Sequence, residues 1–318
     1  MATHRAVTVF AAAAVWLAIL VFAKTRERYA DIGNTPPVIA WGSTPAVVVV
    51  SGNGGAVAAA ASGRRGGKAF SPEQLRPARG NKRVPPVVTK AGKRAFEVTY
   101  RKGERGGGSS NSAFLIAPPV FFPADRVRVS FKVWFDSSFP WTVNARTPAV
   151  GGKLGGFDIG EGSAAGGEFE LGAASFRVTW KDGGSLLPYL YPATKKTYSD
   201  SASGKATWPL LDQSPGFQRV SRIDKGIHVF VDKGSKPLVM QKERWNDVSM
   251  YVKLNTLGKY DGVMELTVNG ETKRSNEVRY RYTNIKVMGY LMNTFFGGSQ
   301  RPPTDTKAWF ADFEFSSQ

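Results

Sequence analysis

The chain has 318 residues, which is enough for one large all-β domain or two smaller domains. It carries 43 Lys and Arg against 25 Asp and Glu, so its net charge is +18. Such an excess indicates a polyanionic partner: nucleic acid, an anionic membrane or an acidic polysaccharide. The absence of cysteine excludes disulfides, thiolate metal sites and cysteine nucleophiles, and the two histidines, His4 and His228, are too few for a multi-histidine zinc site.

Residues 1–30 contain an apolar stretch from Ala6 to Ala23, broken only by Thr8. Its 18 residues are at the short end for a membrane helix. The stretch runs directly into Lys24 without a small-residue cleavage pattern, which favours a signal anchor over a cleaved signal peptide. Residues 6–23 are therefore a predicted membrane anchor, and the protein is expected to be secreted or membrane-anchored.

Residues 31–93 are predicted to form a flexible linker. Up to about Ser62 the segment is rich in Pro, Gly and Ala and shows no strand or helix period. Between Ser62 and Gly108 the chain then holds 13 Lys and Arg against three Glu, which is more than half of its net charge. Two interpretations of this basic segment stay open: a solvated spacer, or a tether to a polyanion. In a secreted or anchored protein, an acidic glycan is a more natural target than nucleic acid.

From residue 94 to residue 318, short runs of alternating or β-branched residues recur between Gly, Asn and Asp turn signals. Asn269-Gly270 is a specific hairpin signal among them. The pattern predicts an all-β domain, a β-sandwich or jelly roll of two antiparallel sheets. The main predicted strands are 95–100, 126–135, 175–180, 227–232, 247–255, 263–270, 278–287 and 308–315. The last strand is predicted to bury one face, made of Trp309, Ala311, Phe313 and Phe315.

Polar residues share a face in two successive predicted strands. Ser175 and Arg177 alternate along the first strand, and Tyr189 and Tyr191 alternate along the second. If the connection is Asp182 to Gly184, Arg177 lies opposite Tyr189 and Ser175 lies opposite Tyr191. Opposing residues of an antiparallel pair point to the same side, so the four polar groups would then form one cluster. A two-residue connection would split them between the two faces, unless a bulge restored the register.

Upstream of this hairpin, Lys153 is surrounded by glycines that let a bulky ligand approach the backbone. The order GGK, then S-x-R 22 residues after the lysine, then Y-x-Y 12 residues after the arginine resembles the active-site pattern of polysaccharide lyase family 14. That family contains alginate and glucuronan lyases of chlorella viruses and marine molluscs. TFFGGS from Thr294 to Ser299 also resembles the family. The resemblance covers about residues 110–318, while the leader and basic segment look most like chlorovirus members. The matching positions are Lys153, Ser175, Arg177, Tyr189 and Tyr191.

The resemblance implies a polyuronate lyase with a jelly-roll fold, which removes the C5 proton of a uronate and expels the C4 oxygen. Arg177 and Lys153 would neutralise the carboxylate. Tyr189 and Tyr191 would be base and acid in an order left open, with Lys153 a rival base at high pH. Ser175 would orient the carboxylate or a tyrosine. The chemistry needs no metal or cofactor, and the partner would be an acidic polysaccharide. A viral protein of this kind would be virion-associated and act on the host cell wall.

Other functions remain open at this point. A non-catalytic glycan-binding or virion structural jelly roll could carry the same pattern, and the basic segment alone would suit a nucleic-acid binder. Glu168 and Glu170 share a strand face, as a glycosidase pair would. His228 is expected to be a sheet-face or core histidine rather than a member of the site. Basic residues expected either to bind the acidic chain or to be ordinary surface charge are Lys195, Lys196, Arg219, Arg222 and Lys225.

Overall fold

A computed structural model describes the chain from residue 65 onwards, with gaps. The described ranges are 65–70, 75–77, 85–104, 113–116, 121–141, 152–161, 164, 168–195, 198–199, 227–228, 236–296 and 301–318. The chain divides into a unit from Met1 to Gly63 and a unit from Arg64 to Gln318. The first unit, which includes the predicted anchor 6–23, lies outside the described residues. Within the described ranges, no helix has the length and apolar character needed to cross a membrane.

The described chain is built almost entirely of β-strands, and all pairings between them are antiparallel. This confirms the predicted all-β class. The strands are β1 (Arg65–Phe70), β2 (Arg76–Pro77), β3 (Val87–Lys90), β4 (Lys93–Tyr100), β5 (Ala113–Ile116), β6 (Arg126–Phe135), β7 (Lys153–Gly160), β8 (Glu168–Phe169), β9 (Ala173–Trp180), β10 (Ser185–Tyr191), β11 (Tyr198–Ser199), β12 (Ile227–His228), β13 (Leu238–Val239), β14 (Trp245–Lys253), β15 (Gly262–Val268), β16 (Glu271–Val278), β17 (Val287–Phe295) and β18 (Thr306–Ser317).

Two eight-stranded sheets make up the sandwich in the described part of the chain. The first sheet has the order β16-β15-β14-β6-β18-β4-β3, with β1 paired to β18. The second has the order β12-β10-β9-β7-β17-β5-β2, with β13 paired to β10. Strands β8 and β11 form a separate two-stranded sheet. Aromatic residues of both large sheets meet between them; the ring centroids of Tyr290 and Phe315, for example, lie 5.4 Å apart. The structure therefore has the predicted two-layer architecture.

Strict alternation explains why the first sheet has one apolar and one polar face. In β6 the odd-numbered residues from Val127 to Phe135 are buried in the core, and the residues between them point outwards. The predicted hairpin at Asn269-Gly270 is confirmed, because both residues have positive φ, at 51° and 86°, between β15 and β16. Strand β9 differs, since all eight of its residues are buried on both faces.

Part of the segment assigned to a linker belongs to the sandwich in the structure. Three strands lie between residues 65 and 93: β1 pairs with β18, β2 with β5 and β3 with β4. The β1 and β18 strands are more than 200 residues apart in the sequence, so composition alone could not reveal that pairing. The described domain thus begins before residue 94.

The predicted strand over residues 278–287 is wrong. Strand β16 ends at Val278 and β17 begins at Val287, and the residues between them form a connection. The backbone N–H groups of Tyr280 and Arg281 in that connection donate to the side-chain oxygen of Asn255, at 2.8 and 3.0 Å, instead of to a strand partner. Of the predicted strand over 227–232, the structure describes residues 227 and 228, which form β12.

The predicted face of the last strand is also wrong, because β18 contains a bulge. The pairing of β18 with β6 shifts register between Ala311 and Glu314, and Asp312 has a φ of 51°. Phe313 and Phe315 therefore point into the main core. Trp309 and Ala311, predicted on the same face, lie in a separate cluster on the outer face of the first sheet. An inserted residue reverses the alternation on which the prediction depended.

Candidate active site

The β9–β10 hairpin has the register predicted for a three-residue connection. Asp182–Gly184 forms a short 3-10 turn, in which Gly183 and Gly184 have φ of 67° and 79°. Tyr189 lies opposite Arg177, and Tyr191 lies opposite Ser175. The four residues therefore share the outer face of the second sheet, which we call the cleft face, as the sequence predicted.

The two tyrosines of β10 are in direct contact. Their hydroxyl oxygens lie 2.8 Å apart, and their rings meet edge to face with centroids 5.1 Å apart. Both side chains are buried, with 3% and 1% of the surface of Tyr189 and Tyr191 exposed. They cluster with Ala164 and Ala173. A hydrogen-bonded pair of phenols can pass a proton from one oxygen to the other.

Lys153 begins β7 and reaches the tyrosines across a neighbouring strand. It pairs with Thr179 of β9 on one side and with Phe295 of β17 on the other. Its Nζ lies 5.0 Å from the ring centroid of Tyr189 and 5.5 Å from that of Phe295. A cation over these ring faces is attracted by the π-electrons. The structure therefore brings the predicted lysine and the predicted tyrosines together.

The glycine before this lysine is required by packing. A Cβ on Gly152 would lie 2.1 Å from the carbonyl oxygen of Phe295 and 2.4 Å from the ring of Trp180. Only a residue without a side chain lets the strands approach so closely at the start of β7.

Arg177 turns away from the tyrosines and lies across β7. Its Nη1 donates to the carbonyl oxygen of Gly156 at 3.0 Å, and its Nη2 forms an ion pair with Asp158. A Cβ on Gly156 would lie 2.7 Å from Cδ of Arg177, so the glycine makes room for the arginine side chain. Burial raises the pKa of Tyr290, and the positive charge of Arg177 opposes that rise. With 6% of its surface exposed and Tyr189 opposite it in β10, Arg177 is a buried cation on the cleft face.

Ser175 is buried on the same face, but its hydroxyl is already engaged. It donates to the carbonyl oxygen of Ala164 at 2.6 Å. In this structure Ser175 therefore holds Ala164 beside the two tyrosines, and its hydroxyl is hydrogen-bonded to that carbonyl oxygen instead of to a tyrosine or Arg177. Its expected role in orienting a uronate carboxylate stays a prediction.

Three further polar residues of the cleft face were missed by the sequence analysis: Asp158, Thr179 and Asn293. Among the described residues, Thr179 Oγ1 and Asn293 Oδ1 are buried and have no hydrogen-bond partner. Thr179 continues the alternation of Ser175 and Arg177, which was a usable signal. Asp158 is five positions from Lys153, so strict alternation would put it on the opposite face. The positive φ of 95° at Gly155 accompanies a register shift between Lys153 and Gly156, which brings both residues to the same face.

The other residues singled out from the sequence lie elsewhere or outside the described ranges. His228 of β12 pairs in register with Tyr189, beside the site. Glu168 is in the small β8–β11 sheet, so the Glu168 and Glu170 pair is not part of the second sheet. Lys195 is exposed, with Nζ 5.9 Å from the ring centroid of Tyr282. Residues outside the described part are Lys196, Arg219, Arg222 and Lys225.

The chain is similar in sequence to a known family and to a viral protein. Residues 88–313 match the family model of polysaccharide lyase 14. Exolysin of Paramecium bursaria Chlorella virus 1 is 28% identical over an alignment of 196 residues, and the match covers 55% of this chain and 26% of that protein. The chain therefore spans about a quarter of the length of this relative.

Two solved structures resemble the described domain in fold. The alginate lyase vAL-1 from Chlorella virus has a TM-score of 0.56 and 22% identity, covering 75% of this chain and 90% of that one. The PL-14 alginate lyase from Aplysia kurodai also has a TM-score of 0.56, with 21% identity over 80% of this chain and 91% of that one. Since the family model extends over more than half of the sequence, the chain belongs to the polysaccharide lyase 14 family.

Proposed function

We propose that this protein is a polyuronate lyase, which cleaves an acidic polysaccharide by β-elimination. What supports this function is the placement of a tyrosine pair, a lysine and an arginine on one face of the second sheet. Tyr189 and Tyr191 share a hydrogen bond, Lys153 lies over the ring of Tyr189, and Arg177 is opposite Tyr189 in the adjacent strand. Membership of the polysaccharide lyase 14 family supports the same reaction class.

Arg177 and Lys153 would assist the removal of the C5 proton, which is the difficult step of this reaction. The C5 proton of a uronate is α to a carboxylate and is scarcely acidic while that carboxylate is anionic. A guanidinium or ammonium group that binds the carboxylate stabilises the enolate formed when the proton leaves. Arg177 and Lys153 are the groups we assign to this role, and Ser175 is a further candidate for contact with the substrate.

The tyrosine pair would carry the protons. One phenolate oxygen takes the C5 proton, and one phenol donates a proton to the C4 oxygen as the glycosidic bond breaks. The 2.8 Å contact between the hydroxyl groups lets either tyrosine of the pair supply or receive the proton through the other. Tyr189 and Tyr191 are therefore proposed together as base and acid, with Lys153 as a rival base at high pH.

The proposed substrate is a glucuronan- or alginate-like polymer, such as one found in an algal cell wall. Two enzymes of the same fold are named as alginate lyases, one from a Chlorella virus. The viral source of Exolysin supports a virus-associated protein that acts on a host wall. Residues 6–23 are the proposed membrane anchor, and the basic residues between Ser62 and Gly108 are a proposed tether.

Mixing the full chain with glucuronan and with alginate tests the reaction class. Elimination leaves an unsaturated uronate that absorbs in the near ultraviolet, whereas hydrolysis or binding leaves none. We expect this absorbance to rise with at least one polymer between about pH 5 and 10. No rise with either polymer, together with retained polymer binding, would favour the non-catalytic glycan-binding alternative.

A further inference from the structure

Asp158 joins the cleft face next to the residues proposed for catalysis. It pairs in register with Ser175 of β9 and with Gly289 of β17. Its carboxylate forms an ion pair with Nη2 of Arg177. The side chain of Asp158 is 42% exposed, while that of Arg177 is 7% exposed. The carboxylate is thus at the accessible edge of a guanidinium that is itself buried.

Asp158 and the β7 backbone together fix where the guanidinium lies. Arginine has five N–H donors in one rigid plane. Among the described residues, two of the donors of Arg177 are engaged, one by the carbonyl oxygen of Gly156 and one by Asp158. Two contacts on different nitrogens set both the position and the plane of the group. The remaining donors keep a defined direction in which a ligand carboxylate can be bound.

The ion pair also changes the charge that a substrate meets. A lone arginine would present a full positive charge to a uronate, but the pair of Arg177 and Asp158 has no net charge. The carboxylate of Asp158 and the carboxylate of a uronate bound to the same guanidinium would repel each other. Arg177 then acts mainly as a directed hydrogen-bond donor, and Lys153 is the second cation of the same face.

We propose that Asp158 is a positioning residue for Arg177, which anchors the guanidinium over β7 and cancels its net charge. This inference rests on the proposed lyase function, in which Arg177 binds the uronate carboxylate. Without Asp158 the arginine would gain net attraction for an anionic polymer and lose its fixed orientation. Binding and turnover should therefore change in opposite directions, which a merely structural role would not produce.

The experiment compares Asp158→Asn and Asp158→Ala in the full chain, measuring kcat, KM and the affinity for polyuronate. We expect Asp158→Asn to lower kcat about ten-fold or more, since small displacements of a catalytic group are costly. Its KM should fall about two-fold or more at low salt, and the difference should shrink at high salt. Asp158→Ala should lower kcat further, because it also removes the oxygen that accepts from Nη2.

Asp247→Asn is the matched control. Asp247 forms a similar ion pair with Lys132 on the outer face of the first sheet, so its replacement adds the same charge away from the cleft. We expect this variant to keep wild-type kcat, KM and affinity and a melting temperature near the wild type. The two Asp158 variants should fold but melt at a lower temperature, because the buried guanidinium of Arg177 loses a partner. Wild-type kcat in both Asp158 variants would overturn the proposal. If the wild type cleaves no polymer, the proposed lyase function is wrong. The role of Asp158 can still be tested in that case, because unchanged polymer affinity in Asp158→Asn would contradict it.

Discussion

The outer faces of the two sheets both carry arginine–carboxylate pairs, but the burial of the partners is reversed. On the first sheet, Arg128 and Arg274 bind the two oxygens of Glu265; the arginines are 41% and 47% exposed and the carboxylate is 10% exposed. On the cleft face of the second sheet, Arg177 is the buried member and Asp158 is the exposed one. Both oxygens of the buried Glu265 carboxylate are thus engaged by arginines. A buried cation with one exposed carboxylate keeps donors for an anionic ligand.

The two faces also differ in how their polar groups are satisfied. Thr267 and Thr272 on the first sheet bond to each other at 2.8 Å, in an exposed position. On the cleft face, Thr179 is buried without a partner among the described residues. Buried polar atoms without partners cost stability and are uncommon in native structures. The difference holds for hydroxyl groups alone, because in the described part of the chain the indole nitrogens of Trp134 and Trp245, on the outer face of the first sheet, are also buried without a partner. What sets Thr179 apart is its place opposite Lys153, beside the residues proposed for catalysis.

The largest expected effect comes from removing one hydroxyl from the cleft face. Tyr189→Phe and Tyr191→Phe should each lower kcat by about a hundred- to ten-thousand-fold, the usual range for loss of a general acid or base. Tyr251→Phe is the control, since Tyr251 lies on the outer face of the first sheet with the Arg128 guanidinium 4.9 Å from its ring centroid. The measurement is kcat on a polyuronate for all three variants. If both cleft-face variants kept wild-type kcat, the hydroxyl groups of Tyr189 and Tyr191 would have no catalytic role, and the two faces would not differ in this respect.

A smaller effect is expected from filling the space under Arg177. In Gly156→Ala the new Cβ would meet the carbonyl oxygen of Phe176 at 2.1 Å and Cα of Arg177 at 2.6 Å. Overpacking of this kind costs about 1–3 kcal/mol, and displacement of the guanidinium should lower turnover as well. Urea unfolding and kcat measure the two consequences. Gly172→Ala is the control, because nothing lies within 4 Å of its Cβ, and it should change neither quantity. Equal behaviour of the two variants would show that the Arg177 side chain does not need Gly156.

The smallest expected effect is a difference in stability between the replacements of two buried threonines. One has a hydrogen-bond partner, and the other has none among the described residues. The hydroxyl of Thr294 bonds to that of Tyr100 in the core, where burial raises the pKa of Tyr100 well above its ordinary value even though the bond to Thr294 opposes the rise. Thr294→Val should cost about 1–3 kcal/mol of unfolding free energy, because it leaves the buried tyrosine hydroxyl unpaired. Thr179→Val removes a hydroxyl that has no partner among the described residues, so stability should stay the same or rise. A comparable loss in both variants, measured by urea unfolding, would contradict the view that the cleft face carries unsatisfied groups.

The pairing within the β9–β10 hairpin could be predicted from the sequence because it depends on local features, the alternation of each strand and the length of the connection. With three residues in the connection, the register follows from counting, and Arg177 must oppose Tyr189. Strand β6 was likewise predicted with its observed bounds, because ten alternating residues leave little choice of period. Lys153 was predicted from the resemblance to the family pattern. Its approach to Tyr189 across β9 could not be derived by counting residues along one hairpin.

The sequence by itself determined the all-β class and the two-sheet architecture, because side-chain alternation is a local property. It placed Ser175, Arg177, Tyr189 and Tyr191 on one face for a three-residue connection, and the structure has that connection. Only the tertiary structure decided which residues break that alternation. Asp312 reverses the faces of β18, and the register shift at Gly155 brings Asp158 onto the face of Lys153. A bulge adds one residue to one strand, and its position depends on the partner strand and the packing around it. That is why Arg177 was foreseen as a cation of the cleft face, and the carboxylate of Asp158 that holds it was not.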